Sequence, residues 1–364
     1  MSNLLTAEQL AGARPVPVVR DHAATRSERR FVAGFLAACL GLLGAVLAFN
    51  VVLDPFALAG TGIVPTAVEQ DRTIKLDLLQ RLERNPEILI MGSSRSRMAE
   101  PAFLHELTGH TGFNAGVTGG TSADEYVYTR FAADRFPHQK RRYLWFTDLG
   151  ISGGGVLPQL AQDPRARRYL RGGRGFGLGD VKTYLSTDAT QASWRVFTKC
   201  VLGQCHSHIR FRADGSLTQR SLHYLPEHAR SLRASVAKLI ASMRTNSLTL
   251  ARARADIAAR GRFFYWDRAL AFMNARGEVP VIVLNPIYPS VFAAMRRQGA
   301  PYLRATMEKV AALHKQFRFV VVNCEDIHTW GGTDYDWTNA THVNRTNMRR
   351  MLRYIVAHSD GALG

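Results

Sequence analysis

The most apolar stretch of the chain lies near its N-terminus. Residues 31–53 (FVAGFLAACLGLLGAVLAFNVVL) contain no charged side chain, and Asn50 is the only strongly polar one. About 20 apolar residues suffice for a helix to cross the hydrocarbon core of a bilayer. The run is longer than a typical signal-peptide core, and Asp54-Pro55 follows it in place of a small-residue cleavage site. The pattern therefore predicts an uncleaved transmembrane helix, and disfavours a cleaved signal or a buried core helix.

Basic residues flank this run on one side only. Three arginines lie just before it: Arg26, Arg29 and Arg30. The charge that lies just after the run is the acidic Asp54. Because positive charge stays on the cytoplasmic side, residues 1–30 are expected to form a loose cytoplasmic tail and residues 55–364 to be exported. In a bacterium this predicts a single-pass inner-membrane protein with a periplasmic or otherwise extracytoplasmic C-terminal domain.

In the exported part, short apolar segments alternate with helical patterns. The apolar segments predict strands at 87–92, 112–116, 142–149, 279–286 and 317–324. Helical spacing is found at 73–84, 97–108, 121–135, 227–245, 248–275, 300–315 and 343–358. This alternation predicts an α/β domain, a parallel sheet with helices on its faces. Residues 150–225 are rich in Gly and Arg and weakly periodic, so the stretch 150–275 is interpreted as a helical insertion or lid.

The charge of the chain is strongly basic. There are 47 Lys and Arg against 29 Asp and Glu, a net charge of +18, and the first 30 residues hold only five arginines against three acidic residues. A basic exported domain favours anionic surroundings such as lipid headgroups or an acidic polysaccharide, although a merely solvated basic surface is also open. We find no zinc-finger or RNA-recognition signature, so we expect no nucleic-acid partner. The sequence predicts no particular protein partner.

Two of the four cysteines lie close together. Cys200 and Cys205 bracket a four-residue turn, with His206 and His208 just beyond. A disulfide, free thiols and a metal site are all open here, but the spacing fits no standard zinc pattern. We therefore predict no metal and no cofactor.

Candidate chemistry lies in three loops that each follow a predicted strand. These loops are Gly92–Ser96, Asn114–Thr121 and Thr338–Asn344. In open α/β sheets, sites form at the carboxyl ends of the strands. The first loop offers a serine, the second offers glycine N–H groups, and the third offers His342, a possible general base. Taken singly, the first loop is typical of a helix N-cap, the second of a turn, and the histidine of the third of a structural role. Their order along the chain favours a shared site.

This order resembles the SGNH, or GDSL-like, hydrolase superfamily over about residues 86–150 and 279–357. The segment ILIMGSS (88–94) is similar to the family's first block, with Ser93 where most members have Asp, as in the membrane-anchored DltD-like branch. The resemblance implies a flavodoxin-like three-layer fold with Ser94 as nucleophile. Asn114–Thr121 resembles the second block and implies that Gly119 lines an oxyanion hole, with Asn114 beside it. Asn339–His342 resembles the last block and implies that His342 is the base.

The chain departs from that family in two places. The Gly-x-Asn-Asp block is missing after the strand at 142–149, and Asn339 stands where the family has its acid. An amide can orient an imidazole but cannot stabilise imidazolium as a carboxylate does. We therefore expect Asp336, or Asp334, to act as the acid, or a Ser–His dyad to operate alone.

The resemblance implies a membrane-anchored serine esterase or O-acyltransferase acting on a cell-envelope polysaccharide or a related acyl ester. Arg95, beside the proposed nucleophile, is expected to bind an anionic substrate. The alternative is a catalytically inactive SGNH-like scaffold in a polysaccharide assembly or export system. Whether water or a sugar accepts the acyl group is open.

Overall fold

The computed structural model describes most of the chain in nine stretches. These are residues 26–55, 71–147, 155–170, 178–203, 211–218, 226–245, 249–259, 263–297 and 301–364. The chain divides into two units, Met1–Ala48 and Phe49–Gly364. The predicted cytoplasmic tail falls largely outside the described residues.

The predicted membrane segment is a single helix, α1, at Arg26–Leu53. It has 28 residues, or about 42 Å at 1.5 Å per residue, and is long and apolar enough to span a membrane. Its large apolar side chains, from Phe31 to Leu43, are exposed. Such exposure is normal for a helix whose surroundings are lipid rather than water.

A five-stranded parallel sheet forms the centre of the second unit. Its strands are β1 Ile88–Met91, β2 Gly112–Asn114, β3 Arg142–Thr147, β4 Val281–Leu284 and β5 Val320–Asn323. All four pairings are parallel, and the order is β2-β1-β3-β4-β5. This is a strand order of doubly wound α/β domains. The predicted α/β class and all five predicted strands are confirmed, each strand ending within a few residues of its expected bounds.

Helices surround this sheet. They are α2 Asp71–Arg81, α3 Pro101–Thr108, α4 Ser122–Arg135, α5 Pro158–Gln162, α6 Pro164–Arg167, α7 Leu178–Tyr184, α8 Thr187–Val201, α9 Pro226–Thr245, α10 Leu250–Ala259, α11 Phe264–Ala275, α12 Pro289–Arg297, α13 Pro301–His314 and α14 Arg345–Ala357. Two short 3-10 helices lie at Ser94–Met98 and Ile327–Trp330. A two-stranded antiparallel hairpin, β6 Trp337–Asn339 and β7 His342–Val343, precedes α14.

Alternate residues of each strand supply two separate apolar layers. Leu89 and Met91 face a core that includes side chains from α2, α4, α11 and α13. Ile88 and Ile90 face a second core built with α3, α9, α12 and α14. Both sets are fully buried because a parallel sheet with helices on each face leaves neither face to water.

The stretch interpreted as an insertion is more tightly integrated than expected. Trp266 of α11 packs on Trp145 of β3, with ring centroids 4.4 Å apart, so α11 belongs to the sheet's own helix layer. Leu232 and Val236 place α9 in the opposite core. The weak periodicity before α9 concealed three short helices, α5 to α7, and the 15-residue helix α8. Sequence patterns also missed α12 and the β6–β7 hairpin, which lies where a loop was expected.

A short hairpin-like segment, residues 211–218, covers the edge strand β2. Phe211 and Leu217 form an antiparallel bridge, and the Asn114 N–H donates to the Asp214 carbonyl at 2.8 Å. A Cβ built on Gly215 would lie 2.2 Å from the Asn114 carbonyl oxygen. The absence of a side chain at Gly215 therefore permits this close approach.

The turn after β1 generates a testable prediction. Gly92 has φ +137°, and a Cβ there would lie 2.5 Å from the Phe146 carbonyl oxygen. Gly109 also has positive φ, +75°, but a Cβ there meets nothing within 4 Å. We expect Gly109→Ala to cost about 1–2 kcal/mol, the usual left-handed penalty. Gly92→Ala should cost about 3 kcal/mol or more, because backbone must also move.

Thermal unfolding of the detergent-solubilised full chain measures both changes. The melting temperature should fall clearly further for Gly92→Ala than for Gly109→Ala. Equal losses for the two variants would show that the β1 turn tolerates a side chain, against the packing described above.

Candidate active site

The serine loop lies where the order of the sheet reverses. β1 is flanked by β2 on one side and β3 on the other, and Gly92 and Ser93 lead directly into the 3-10 helix at Ser94–Met98. Ser93 caps this helix, its hydroxyl accepting from the Arg95 N–H at 3.5 Å. A topological switch point of this kind leaves a crevice at the carboxyl ends of the strands. Ser94 lies there, half-buried.

The structure brings Ser94 and His342 into contact. Ser94 Oγ lies 2.7 Å from His342 Nε2, although 248 positions separate them along the chain. His342 occupies the first position of β7, paired across the hairpin with Asn339 of β6. The hairpin therefore delivers the imidazole to the serine loop.

The partners of Asn339 identify the tautomer of His342. Asn339 Oδ1 accepts from the backbone N–H groups of Thr341 at 2.9 Å and of His342 at 3.1 Å, which marks that atom as the amide oxygen. The same oxygen lies 2.9 Å from His342 Nδ1. Thr341 Oγ1 also lies 3.0 Å from Nδ1, but its proton is donated to Asn339 Oδ1 at 3.0 Å. Next to two oxygens that accept, Nδ1 carries the proton. In the neutral imidazole Nε2 is then an acceptor, as needed to receive the proton of the Ser94 hydroxyl.

Asp336, expected to serve as the acid, is engaged elsewhere. Its carboxylate accepts from Thr333 at 2.7 Å, Asn344 at 3.0 Å and Arg350 at 2.6 Å. Burial raises the pKa of Asp336, but these three hydrogen bonds outweigh it and hold that pKa below its ordinary value. Asp336 therefore stabilises the N-terminal part of α14 through Asn344 and Arg350. The side-chain oxygen next to His342 Nδ1 is that of Asn339. Asp334 is exposed.

The glycine loop approaches the serine loop backbone to backbone. The Val117 N–H donates to the Gly92 carbonyl at 3.0 Å. A Cβ on Gly116 would lie 2.0 Å from Ser96 Oγ, and one on Gly120 would lie 2.6 Å from the Gly92 oxygen. These two glycines are therefore required by the closeness of the loops. Gly119, the predicted oxyanion residue, lies between them at φ +58°.

Asn114 has a different role from the one expected. Its amide donates to the carbonyls of Ser96 at 2.9 Å and Ala99 at 2.7 Å, and its oxygen accepts from Lys75 at 3.1 Å and Gly116 at 2.9 Å. An amide side chain offers two donors and two lone pairs, so all its capacity is used. Asn114 is also fully buried. It ties the two loops together and does not face a substrate.

Three charged residues of α2 clamp the glycine loop from below. Asp71 accepts from the Thr118 N–H at 2.5 Å, Arg72 donates to the Gly119 carbonyl at 3.2 Å, and Lys75 donates to the Gly116 carbonyl at 2.5 Å. Arg72 also pairs with Asp124 at the start of α4 at 2.6 Å. All are buried. Sequence reasoning missed this clamp, although three charges in the first five positions of the helix were a visible signal.

The clamp leaves one peptide group of the loop uncommitted. Thr118 is held by its N–H and Gly119 by its carbonyl, so the peptide between them presents the Gly119 N–H. Within the described part of the chain, neither the Gly119 N–H nor the Ser94 N–H bonds to another backbone group. Two such N–H groups are what an oxyanion requires.

Burial sets the direction of the pKa shift for two residues of the clamp, Lys75 and Asp71. It lowers the pKa of Lys75 to about 7; nearby Asp71 and Asp214 oppose this shift, and nearby Arg97 adds to it. Burial also raises the pKa of Asp71, against the Thr118 hydrogen bond and the adjacent cations. Lys75 Nζ lies 4.9 Å from the ring centroid of Phe211, so the segment covering β2 also covers the clamp.

The remaining predicted site residues lie as follows. Arg95 is half-buried next to Ser94, and Arg97 donates to Thr118 Oγ1 at 2.6 Å.

Cys200 is disulfide-bonded, whereas Cys205, His206 and His208 fall outside the described residues. Cys39 and Cys324 are free. In the stretches that the structure describes, no group of three or more His, Cys, Asp or Glu is arranged to hold a metal ion.

Comparison with known proteins assigns the chain to no family. No protein-family model matches it, and no curated protein matches it. What the site does is therefore inferred from its geometry and from the sequence motifs.

The buried lysine of the clamp generates a pH-dependent prediction. An unfolded lysine has a pKa of about 10.4, so between pH 7 and pH 10 unfolding takes up a proton at Lys75. Its contribution to stability therefore rises with pH across this window. Lys75→Met removes that contribution. The melting temperature of the wild type minus that of the variant should therefore increase from pH 7 to pH 9. A constant difference would mean that Lys75 titrates normally.

Proposed function

We propose that this protein is a membrane-anchored, SGNH-like serine esterase or O-acyltransferase. The observation that carries the proposal is the chain Ser94–His342–Asn339, in which Asn339 fixes the tautomer that makes Nε2 a proton acceptor. A nucleophile, a base and an orienting group in hydrogen-bond sequence define the geometry of nucleophilic acyl transfer.

The proposed reaction has two steps. His342 takes the proton of Ser94 as Oγ attacks an ester carbonyl, and the N–H groups of Ser94 and Gly119 bind the resulting oxyanion. The leaving alcohol receives the proton from His342, which leaves an acyl group on Ser94. Water or a sugar hydroxyl then gives its proton to His342 and attacks the acyl carbonyl. His342 passes that proton to Ser94 Oγ as the acyl–serine bond breaks, which regenerates the serine. Water as acceptor makes the protein a hydrolase, and a sugar makes it a transferase.

The proposed substrate is an acyl ester of a cell-envelope polysaccharide. Three observations support this choice: a helix suited to span a membrane, a strongly basic chain and a half-buried arginine, Arg95, next to Ser94. We place the catalytic domain on the periplasmic side of a bacterial inner membrane, following the arginines before α1. The sheet order and the position of Ser94 after β1 also agree with an SGNH-like fold.

A second candidate function is a non-catalytic scaffold that binds an envelope polysaccharide. The neutral Asn339 favours it, because an amide lends no charge to an imidazolium. The short Ser94–His342 contact favours the enzyme.

Labelling with a fluorophosphonate tests the enzyme directly. The full chain should be labelled at Ser94, Ser94→Ala should abolish labelling, and His342→Ala should slow it by ~10²–10⁴-fold through loss of the general base. Ser242→Ala, which changes an exposed serine on α9, is the matched control and should be labelled normally. A well-folded wild type that takes up no probe would overturn the enzyme and favour the scaffold.

The orienting amide provides a separate test. A hydrogen bond to a charged group contributes roughly 1 kcal/mol more than a neutral one, so Asn339→Asp should speed labelling about 5-fold. The acid limb of the rate profile should move to higher pH, because the carboxylate stabilises the imidazolium. Asn339→Leu, which orients nothing, should slow labelling instead. If Asn339→Leu labels as fast as the wild type, the amide has no orienting role.

A further inference from the structure

The helix α8 carries two apolar stripes, only one of which is buried. Ala189, Ser193 and Val196 face the rest of the domain. The adjacent stripe is exposed: Trp194 by 59%, Phe197 by 40% and Val201 by 68%. Leu202, just beyond the helix, is also exposed. In water, such a row of large apolar side chains is unfavourable and usually marks an interaction surface.

The opposite side of α8 is charged. Asp188, Arg195 and Lys199 recur at helical spacing there and are exposed. A helix with one apolar stripe, a tryptophan within it and basic residues on the polar side is typical of helices that lie in a membrane interface. The two basic side chains match the sign of anionic headgroups.

The end of the membrane helix is fastened to this region. Asn50 donates to the Tyr184 carbonyl at 2.5 Å and to Thr190 Oγ1 at 3.0 Å, and the Tyr184 hydroxyl donates to Asp54. Asn50 is fully buried. The one strongly polar residue of the apolar run therefore has a partner, as an amide in apolar surroundings requires.

The exposed stripe continues onto the end of α1. The ring centroids of Phe49 and Phe197 are 6.1 Å apart, and those of Phe197 and Trp194 are 5.7 Å apart. Phe49 lies four residues before Leu53, where α1 ends, or about 6 Å along the axis. If α1 spans the bilayer, Phe49 lies near the exit level, and Phe197 and Trp194 lie at that level beside it.

We propose that α8 is a second membrane contact, an interfacial helix that inserts Trp194, Phe197 and Val201 among the lipids next to the exit of α1. The proposal depends on the membrane anchor described above and not on catalysis. The lipid that covers the exposed stripe of α8 belongs to the leaflet on the exported side of the membrane. The contact fixes the domain against the membrane instead of leaving it on a flexible tether.

Tryptophan quenching by brominated lipids tests this placement. Of the five tryptophans, Trp194 is the exposed one, while Trp145, Trp266, Trp330 and Trp337 are buried. The full chain is placed, one copy per disc, in phosphatidylethanolamine–phosphatidylglycerol nanodiscs that contain a brominated phosphatidylcholine. The difference in emission between the wild type and Trp194→Phe isolates the signal of Trp194.

We expect lipid brominated near the headgroup to remove most of the Trp194 emission, and lipid brominated at the chain end to remove less. The matched control is Trp194→Phe with Arg195→Trp, which moves the exposed tryptophan to the charged side and should largely abolish quenching. Fluorophosphonate labelling of each variant, if the wild type labels, checks that the domain is intact.

Two outcomes would overturn the inference. A chain that enters the discs but shows no quenching of Trp194 would leave the anchor standing and assign the stripe to a protein partner. A blue shift of its emission only with two copies per disc would identify that partner as a second copy. A chain that does not associate with lipid would refute the anchor as well. None of these results bears on whether Ser94 is an activated nucleophile.

Discussion

Two backbone segments meet below Ser94 with almost no side chain between them, and the site depends on that approach. The turn at Gly92 passes against Phe146, and the loop at Gly116 and Gly120 passes against the turn. Only glycine permits both contacts, because an added Cβ would overlap backbone or a buried hydroxyl. Among the described residues, neither the Ser94 N–H nor the Gly119 N–H of these loops bonds to another backbone group.

Buried charged residues hold this arrangement, although their desolvation costs free energy. Asp71, Arg72 and Lys75 are removed from water and compensated by backbone groups of the loop and by Asp124. Desolvation is costly for each ion, so such a cluster contributes more to the definition of one conformation than to overall stability. In the proposed reaction, a flexible oxyanion loop would lose the preorganisation on which electrostatic catalysis depends.

Local patterns were sufficient to predict the five strands, most of the helices and the three segments of the site, although the third segment is a hairpin and not a loop. Strands such as 88–91 are continuous apolar runs between turn residues, and Ser94 and His342 each follow a recognisable motif. Patterns could not predict which oxygen would reach His342, because Asn339 and Asp336 lie three residues apart and the choice depends on the bend of the β6–β7 hairpin. Sequence patterns also could not predict that all hydrogen-bonding groups of the Asn114 side chain are used within the protein, because this follows from its burial. The helices α5 to α7 were missed because they are short and obtain their stability from tertiary contacts.

The segment at 211–218 bears on how the edge of the sheet is protected. β2 is an edge strand, and an unprotected edge is a template for pairing with another chain. Asp214 takes up the Asn114 N–H, and Gly215 lets the covering segment lie flat against the strand. This segment, part of the long connection between β3 and β4, therefore occupies an edge that could otherwise pair with another strand, and its removal would expose backbone groups of the strand that lies next to β1 and the Ser94 loop.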